Sequence, residues 1–169
     1  IGTGLVGSEM CIRDSSKNIP MGGDIIQEKG KNPRFLVWAI SDPLGAPLQR
    51  VQIIKGWLAD GEQREKVFDV ACSDGQGVNP LNHRCPDNGA KVNLDDCSIS
   101  REKGNAEIKT FWQDPEFSND QEAFYYARVL ENPTCRWSTW DAVRAEEKPR
   151  SDIPATIQER AWSSPIWIK

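Results

Sequence analysis

At 169 residues the chain has room for one domain with a real hydrophobic core. Charged residues make up 27 % and the net charge is −4, with acids and bases interspersed. A phosphate-binding surface needs a clustered Lys/Arg stripe, so nucleic acid is not an expected partner. No apolar run of about 18 residues occurs, so no membrane-spanning helix is expected either.

Residues 1–15, IGTGLVGSEMCIRDS, do not look like the rest. The string GLVGSEMCIRDS resembles a translated sequencing adaptor of the kind found at the ends of assembled metagenomic proteins. It reads as a non-native scar to be set aside; the alternative is a genuine N-terminal strand and turn. The start at Ile1 fits a truncated reading frame, with any signal peptide upstream. Residues 16–33, punctuated by Pro20, Gly22, Gly23, Gly30 and Pro33, read as an irregular entry segment crossing the surface of a missing domain.

The β-sandwich-like region runs over 34–169. RFLVWAI, 34–40, is apolar on both faces and reads as an inner strand, with Trp38 inward. After the turn cluster 41–47, residues 48–58 alternate, Val51 and Ile53 against Arg50, Gln52 and Lys55. Asp60-Gly61 makes a hairpin turn into a strand at 65–72, where Phe68, Val70 and Cys72 share the inward face. Residues 73–105 form a loop rich in Gly, Pro, Asn and Asp, of a length that is usually functional or cross-linked.

AEIKTFWQ, 106–113, reads as a strand with Ile108 and Trp112 inward. Residues 124–130, FYYARVL, read as the central strand, buried on both faces. The lead-in from Asp120 to Tyr125 resembles the tyrosine corner of immunoglobulin-like sandwiches, where the Tyr hydroxyl bonds back to the preceding corner. Asn132-Pro133 ends the strand, and Ser138 or Thr139 caps a short helix over 140–144. After a charged loop, AWSSPIWI, 161–168, closes the domain as an edge or bulged strand because of Pro165. The expected fold is mainly β: an immunoglobulin-like antiparallel β-sandwich with one short helix and a long disulfide-braced loop.

With Cys11 set aside, Cys72, Cys85, Cys97 and Cys135 remain, an even number that suggests two disulfides and an oxidising compartment. Three connectivities are open. The favoured one joins Cys85 to Cys97 across a local loop and Cys72 to Cys135 from strand end to strand end.

Candidate chemistry is sparse. The single histidine, His83, lacks the paired spacing of a zinc site and reads as a loop residue beside a disulfide. Cysteines already paired leave no thiolate for a Cys–His nucleophile. Carboxylates gather at Asp95-Asp96 and between Asp114 and Asp120, where calcium or plain corner-capping explains them equally well. Of the seven tryptophans, Trp137, Trp140 and Trp162 are the ones that could form an exposed sugar-binding platform.

The strings RFLVWAISDP, LQRVQIIKGWL, EKVFDVACSDG, FYYARVLENPTCRWSTWDAV and ATIQERAWSSPIWI resemble the C-terminal part of a large bacterial family, domain of unknown function 3604. That family is similar to PHP-type (polymerase-and-histidinol-phosphatase-like) metallohydrolases. The resemblance covers residues 20–169. It implies a distorted barrel in the missing N-terminal region, whose His and Asp ligands hold divalent metals that activate a water for hydrolysis. No His-rich motif of that kind lies in this chain, so no catalytic, cofactor-binding or metal-ligating residue is carried over to it. The resemblance implies an accessory β region that packs on its own N-terminal barrel through the entry segment and a face of Arg136, Trp137 and Trp140. It also implies export to the periplasm or beyond. The alternative function is an independent carbohydrate- or ligand-binding β-sandwich module.

Overall fold

The computed structural model describes residues 8–14, 17–28 and 30–169, and side chains from Ile19 onward apart from residue 29. The strands are β1 (Ser8–Asp14), β2 (Lys17–Pro20), β3 (Asp24–Ile25), β4 (Arg34–Ile40), β5 (Leu48–Ala59), β6 (Glu62–Cys72), β7 (Glu107–Gln113) and β8 (Ala123–Glu131). They continue as β9 (Thr134–Cys135), β10 (Thr156–Ile157), β11 (Arg160–Trp162) and β12 (Ile166–Ile168), with one helix, α1 (Trp137–Arg144), after β9.

Two sheets face each other. One has the order β2-β1-β4-β7; the other runs β3-β12-β8-β5-β6, with β11 also on β8, and β9 with β10 makes a separate ribbon. Among the described residues every strand pairing is antiparallel except β3 with β12. Phe35, Val37 and Ala39 of β4 and Ile108 of β7 close against Val51 and Ile53 of β5, Tyr125, Ala127 and Val129 of β8, and Ile166 and Ile168 of β12. This is the expected sandwich core, built from alternate residues of each inner face. The β5–β6 hairpin turns on Asp60 and Gly61, both at positive φ (53° and 77°), the backbone that a two-residue turn matched to strand twist requires.

Several strands differ from their sequence pattern. β4 is not buried on both faces: Arg34, Trp38 and Ile40 are exposed while Phe35, Val37 and Ala39 are buried. Trp38 therefore points outward, with the Lys109 ammonium 5.1 Å from the ring centroid. No layer covers that face among the described residues, so the apolar run could not predict the side on which Trp38 lands. Trp112 does face inward, 5.1 Å from Phe68 and 5.9 Å from Phe35 between ring centroids. β8 is central, but Phe124, Tyr126 and Arg128 on its second face are only half-buried. The entry segment is more regular than expected. β3 pairs with β12, Gly22 N–H donates to the Pro165 carbonyl (2.9 Å) and Gln27 N–H to the Lys169 carbonyl (2.8 Å). These bonds satisfy the edge that β12 would otherwise leave open. β1, inside the stretch read as an adaptor scar, pairs antiparallel with β2 and β4.

The disulfide connectivity also needs correction. The bonds are Cys72–Cys85 and Cys97–Cys135, each with Cα atoms 5.6 Å apart, rather than Cys85–Cys97 and Cys72–Cys135. The reason is one bulge. Val51 pairs with Ala71 but Gln52 with Asp69, so Val70 is the extra residue on β6. Beyond it the alternation is reset, and Cys72, opposite Arg50, joins the face of Gln52 and Asp69 instead of that of Phe68. On that side the loop covers the β6 edge: Asp69 N–H donates to the His83 carbonyl (2.9 Å), and the Asp69 carboxylate accepts from Cys85 N–H (2.7 Å). Those two bonds place Cys85 beside Cys72. The helix starts at Trp137, earlier than expected, with Arg136 at its N-cap and no side-chain cap. Buried Thr139 instead donates its hydroxyl to the Ala155 carbonyl (2.8 Å), tying α1 to the loop residue just before β10.

Candidate functional site

Ionisable groups gather at two places in the sandwich, one sealed and one open. Lys55 lies mid-β5, opposite Tyr125 of β8 and Lys66 of β6. Its ammonium reaches the Asp114 carboxylate at 2.6 Å, with both side chains buried. Asp114 Oδ2 also accepts from the Tyr125 hydroxyl at 2.8 Å, and Oδ1 from Glu116 N–H at 2.8 Å. Lys55 gives a further bond to the Glu116 carbonyl (3.0 Å) and stands 5.2 Å from the centroid of the Trp57 ring. The expected tyrosine corner is thus present, but its hydroxyl ties to a buried carboxylate. Burial, then the charge of Asp114 and the bond to it, hold the Tyr125 phenol well above its ordinary range.

This triad takes up Asp114, the buried acid of the corner. Asp114 is held by Lys55, Glu116 pairs with Lys66, and Asn119 accepts from Gln27. Among the described residues no three His, Cys, Asp or Glu side chains gather so as to hold a metal ion. Asp96 accepts from Ser98 N–H (2.9 Å), closing its own turn, and that bond keeps its carboxyl below the usual range. His83 is packed edge-on against Phe68, 5.1 Å between centroids.

The open site is a cleft of about 1000 Å³ between the 42–46 turn, the 96–101 loop and the end of β8. The Cys97–Cys135 bond and Arg101, which donates to the Gly45 carbonyl (3.3 Å), hold the loop as its wall. Glu131, Glu159, Arg160 and Trp140 complete it. Glu131 is only 7 % exposed, and burial first, then the charges of Glu159 and Asp42, push its carboxyl up against the opposing Ala46 N–H. A carboxyl held above its ordinary range, beside arginines and an indole, can exchange hydrogen bonds with a polar ligand. Because the native state holds that proton more tightly than the unfolded chain, stability falls as pH rises from the unfolded value of about 4.3. Glu131→Gln is therefore expected to be more stable than the parent at about pH 7 and equal to it below about pH 4, read from urea midpoints. A variant less stable at neutral pH would mean that the carboxylate is stabilising there.

The expected docking residues are divided. Trp137 is 74 % exposed, Trp140 lines the cleft with the Arg144 guanidinium 5.3 Å from its ring centroid, and Arg136 donates to the Pro154 carbonyl (3.0 Å). Arg136 and Trp162 line a second, shallower cavity of about 610 Å³ along β10 and β11.

Sequence reading missed a polar spine under the long loop. The buried Asn88 amide donates to Ser73 (3.2 Å) and Asn132 (2.9 Å) while its carbonyl accepts from Gln49 (3.2 Å). Asp69, also buried, accepts from Gln52 (2.6 Å) and Arg50 (3.4 Å). Polar residues on a strand pattern read as solvent-facing, and only the loop packed over them makes them interior.

The second face of the larger sheet is aromatic. Trp167 stands opposite Phe124 and Trp162 opposite Arg128, on the same side as Tyr126. Phe124 lies 5.0 Å from Trp167 and 6.4 Å from Tyr126 between centroids, within 12° of parallel to the tyrosine. Gly56 allows this: any Cβ there would collide with the far edge of the Phe124 ring, which reaches over the neighbouring strand. Trp162 and Trp167 are 57 % and 44 % exposed.

Sandwich, paired cysteines and open cleft define a disulfide-braced, mainly β domain. A family model described as protein of unknown function (DUF3604) matches residues 4–169, and the chain belongs to that family. The match takes in part of the segment read as an adaptor scar. Comparison with curated proteins and with solved structures gave no match.

Proposed function

We propose that this chain is the C-terminal accessory β region of an exported, PHP-like metal-dependent hydrolase, with catalysis carried by a barrel elsewhere in the parent protein. The observation that carries the reading is the exposed Trp137, 74 % open to solvent at the first turn of α1 between Arg136 and Trp140. An indole left in water beside a second one is the mark of a contact surface. Membership of the family agrees with the resemblance this reading starts from, and two disulfides among the described residues are compatible with an oxidising compartment. Divalent metals belong in this reading to the barrel. Residues 1–15 are, in the same proposal, an adaptor translation that the domain does not need.

The test compares metal-dependent hydrolysis of phosphate-ester, carboxyl-ester and carbamate substrates by this chain, by the chain begun at residue 16, and by a longer parent. Turnover is expected from the parent alone, with the two short chains melting within about 2 °C of each other. Turnover by a short chain overturns the accessory reading; a collapse on removing residues 1–15 makes β1 native. A second reading, an independent ligand-binding module for carbohydrate, is favoured by the Trp140-lined cleft and would show as binding by this chain alone.

A further inference from the structure

We infer that Lys55 and Asp114 are the two halves of a self-forming cross-link. In the folded chain their side chains condense to an amide with loss of one water, and the Tyr125 hydroxyl relays a proton. The reaction is independent of the hydrolase proposed above and of its barrel.

The sealed corner holds each part that the condensation needs. The first is a nucleophile pressed on an electrophile. Lys55 Nζ lies 2.6 Å from Asp114 Oδ2, with the two side chains 3 % and 0 % exposed. Groups fixed so closely meet at an effective concentration of roughly 10⁵ M or more. The second is a dry setting. Nζ stands 5.2 Å and 5.8 Å from the centroids of the Trp57 and Tyr125 rings, and the fully buried Phe35 ring lies 4.7 Å from that of the tyrosine. In water an ammonium and a carboxylate are too well solvated to give up their charges. Here both charges are held in the core, and the amide removes the two together.

The third is a partner for every moving proton. Asp114 Oδ1 accepts from Glu116 N–H (2.8 Å) and Oδ2 from the Tyr125 hydroxyl (2.8 Å). Nζ first passes a proton to Oδ2, leaving an amine that faces a carboxylic acid. The nitrogen lone pair then attacks Cγ, and the C=O electron pair moves to Oδ1, where Glu116 N–H stabilises the oxyanion. Nitrogen gives up its second proton to the Tyr125 oxygen, while Tyr125 hands its own proton to Oδ2. The Cγ–Oδ2 bond breaks, water leaves, and the C=O bond re-forms at Oδ1. The third proton stays as the amide N–H, and the Glu116 carbonyl, 3.0 Å from Nζ, is its acceptor. One ammonium and one carboxylate become one amide and one water, with no other reagent.

The bond joins β5 of the larger sheet to the end of β7 in the smaller, across 59 residues of sequence. Neither disulfide links those two sheets. The ion pair is the reactant, so the stability expected of it describes the chain before closure.

The test is the intact mass of the full 169-residue chain after reduction. The expected mass is that of the sequence less one water. Tryptic digestion should yield residues 51–64 joined to residues 110–128, because Lys55 in amide linkage is no longer cleaved. Lys55→Met and Asp114→Ala should each restore the full mass. Tyr125→Phe keeps both reacting groups and should slow closure by about a hundredfold, read as the unlinked fraction during incubation at neutral pH.

A parent chain still at its full mass after that incubation overturns the cross-link, whatever the variants do. A water lost at another place in the peptide map overturns it too, as does a deficit that survives Lys55→Met. Closure as fast in Tyr125→Phe as in the parent overturns the relay.

Discussion

Asp114→Ala is expected to cost about 3–5 kcal/mol of folding stability, because it leaves the Lys55 ammonium buried without a counter-charge. The two side chains are 3 % and 0 % exposed, so water cannot replace the lost carboxylate. The same change frees the buried Tyr125 hydroxyl, and an unsatisfied buried donor adds to the loss. Tyr125→Phe isolates that bond and should cost about 1.5–3 kcal/mol, the range for a bond to a charged partner. The apolar double variant Lys55→Met with Asp114→Leu is the control. Removing both charges is expected to recover most of the loss, since a buried ion pair gains little over a well-packed apolar replacement. Urea unfolding of the four proteins decides the matter. A loss below about 1 kcal/mol for Asp114→Ala would mean that the corner opens to water.

The second large effect belongs to the Cys97–Cys135 bond. Replacing both cysteines with Ala should remove about 4 kcal/mol, from the chain entropy of closing a loop of 38 residues. The Cys72–Cys85 pair closes only 13, and its removal should cost about 3 kcal/mol. The order matters more than the values. The Cys97–Cys135 bond also holds the wall of the cleft, so its loss should alter any ligand binding there, whereas the β6-edge bond should not. Urea midpoints of the two double variants under oxidising conditions test the order. A larger loss for Cys72 and Cys85 would show that covering the β6 edge outweighs loop closure.

Much of this architecture was legible in residue patterns. Asp60-Gly61 announced a two-residue hairpin, and both residues take positive φ. The run before Tyr125 announced a corner tie, and the hydroxyl makes one. Pro165 announced an interruption: β11 and β12 both lie on β8, and between them Ser163 exchanges bonds with Ala127 through N–H (3.0 Å) and hydroxyl (2.9 Å). These signals are short-range, set by φ preference, a missing N–H or the period-2 alternation of a strand.

What the pattern could not carry was the meeting of distant segments. Asp114 reads as one of several corner acids, and nothing local says that Lys55, 59 residues earlier, will close on it in the dark of the core. Trp38 sits in an apolar run, yet faces water because nothing covers the second face of its sheet among the described residues. The aromatic face depends on a glycine opposite a phenylalanine on the adjacent strand, a pairing that only register establishes.

By itself, then, the amino-acid sequence determined a mainly β chain, its turns, its corner tyrosine and which four cysteines pair, because each rests on neighbouring residues and elementary backbone sterics. Tertiary structure decided which cysteine meets which, where the acids of the corner go, and which tryptophans face solvent. The physical reason is visible at Val70: a single extra residue on β6 reverses every side chain beyond it, carrying Cys72 to the face where Cys85 waits.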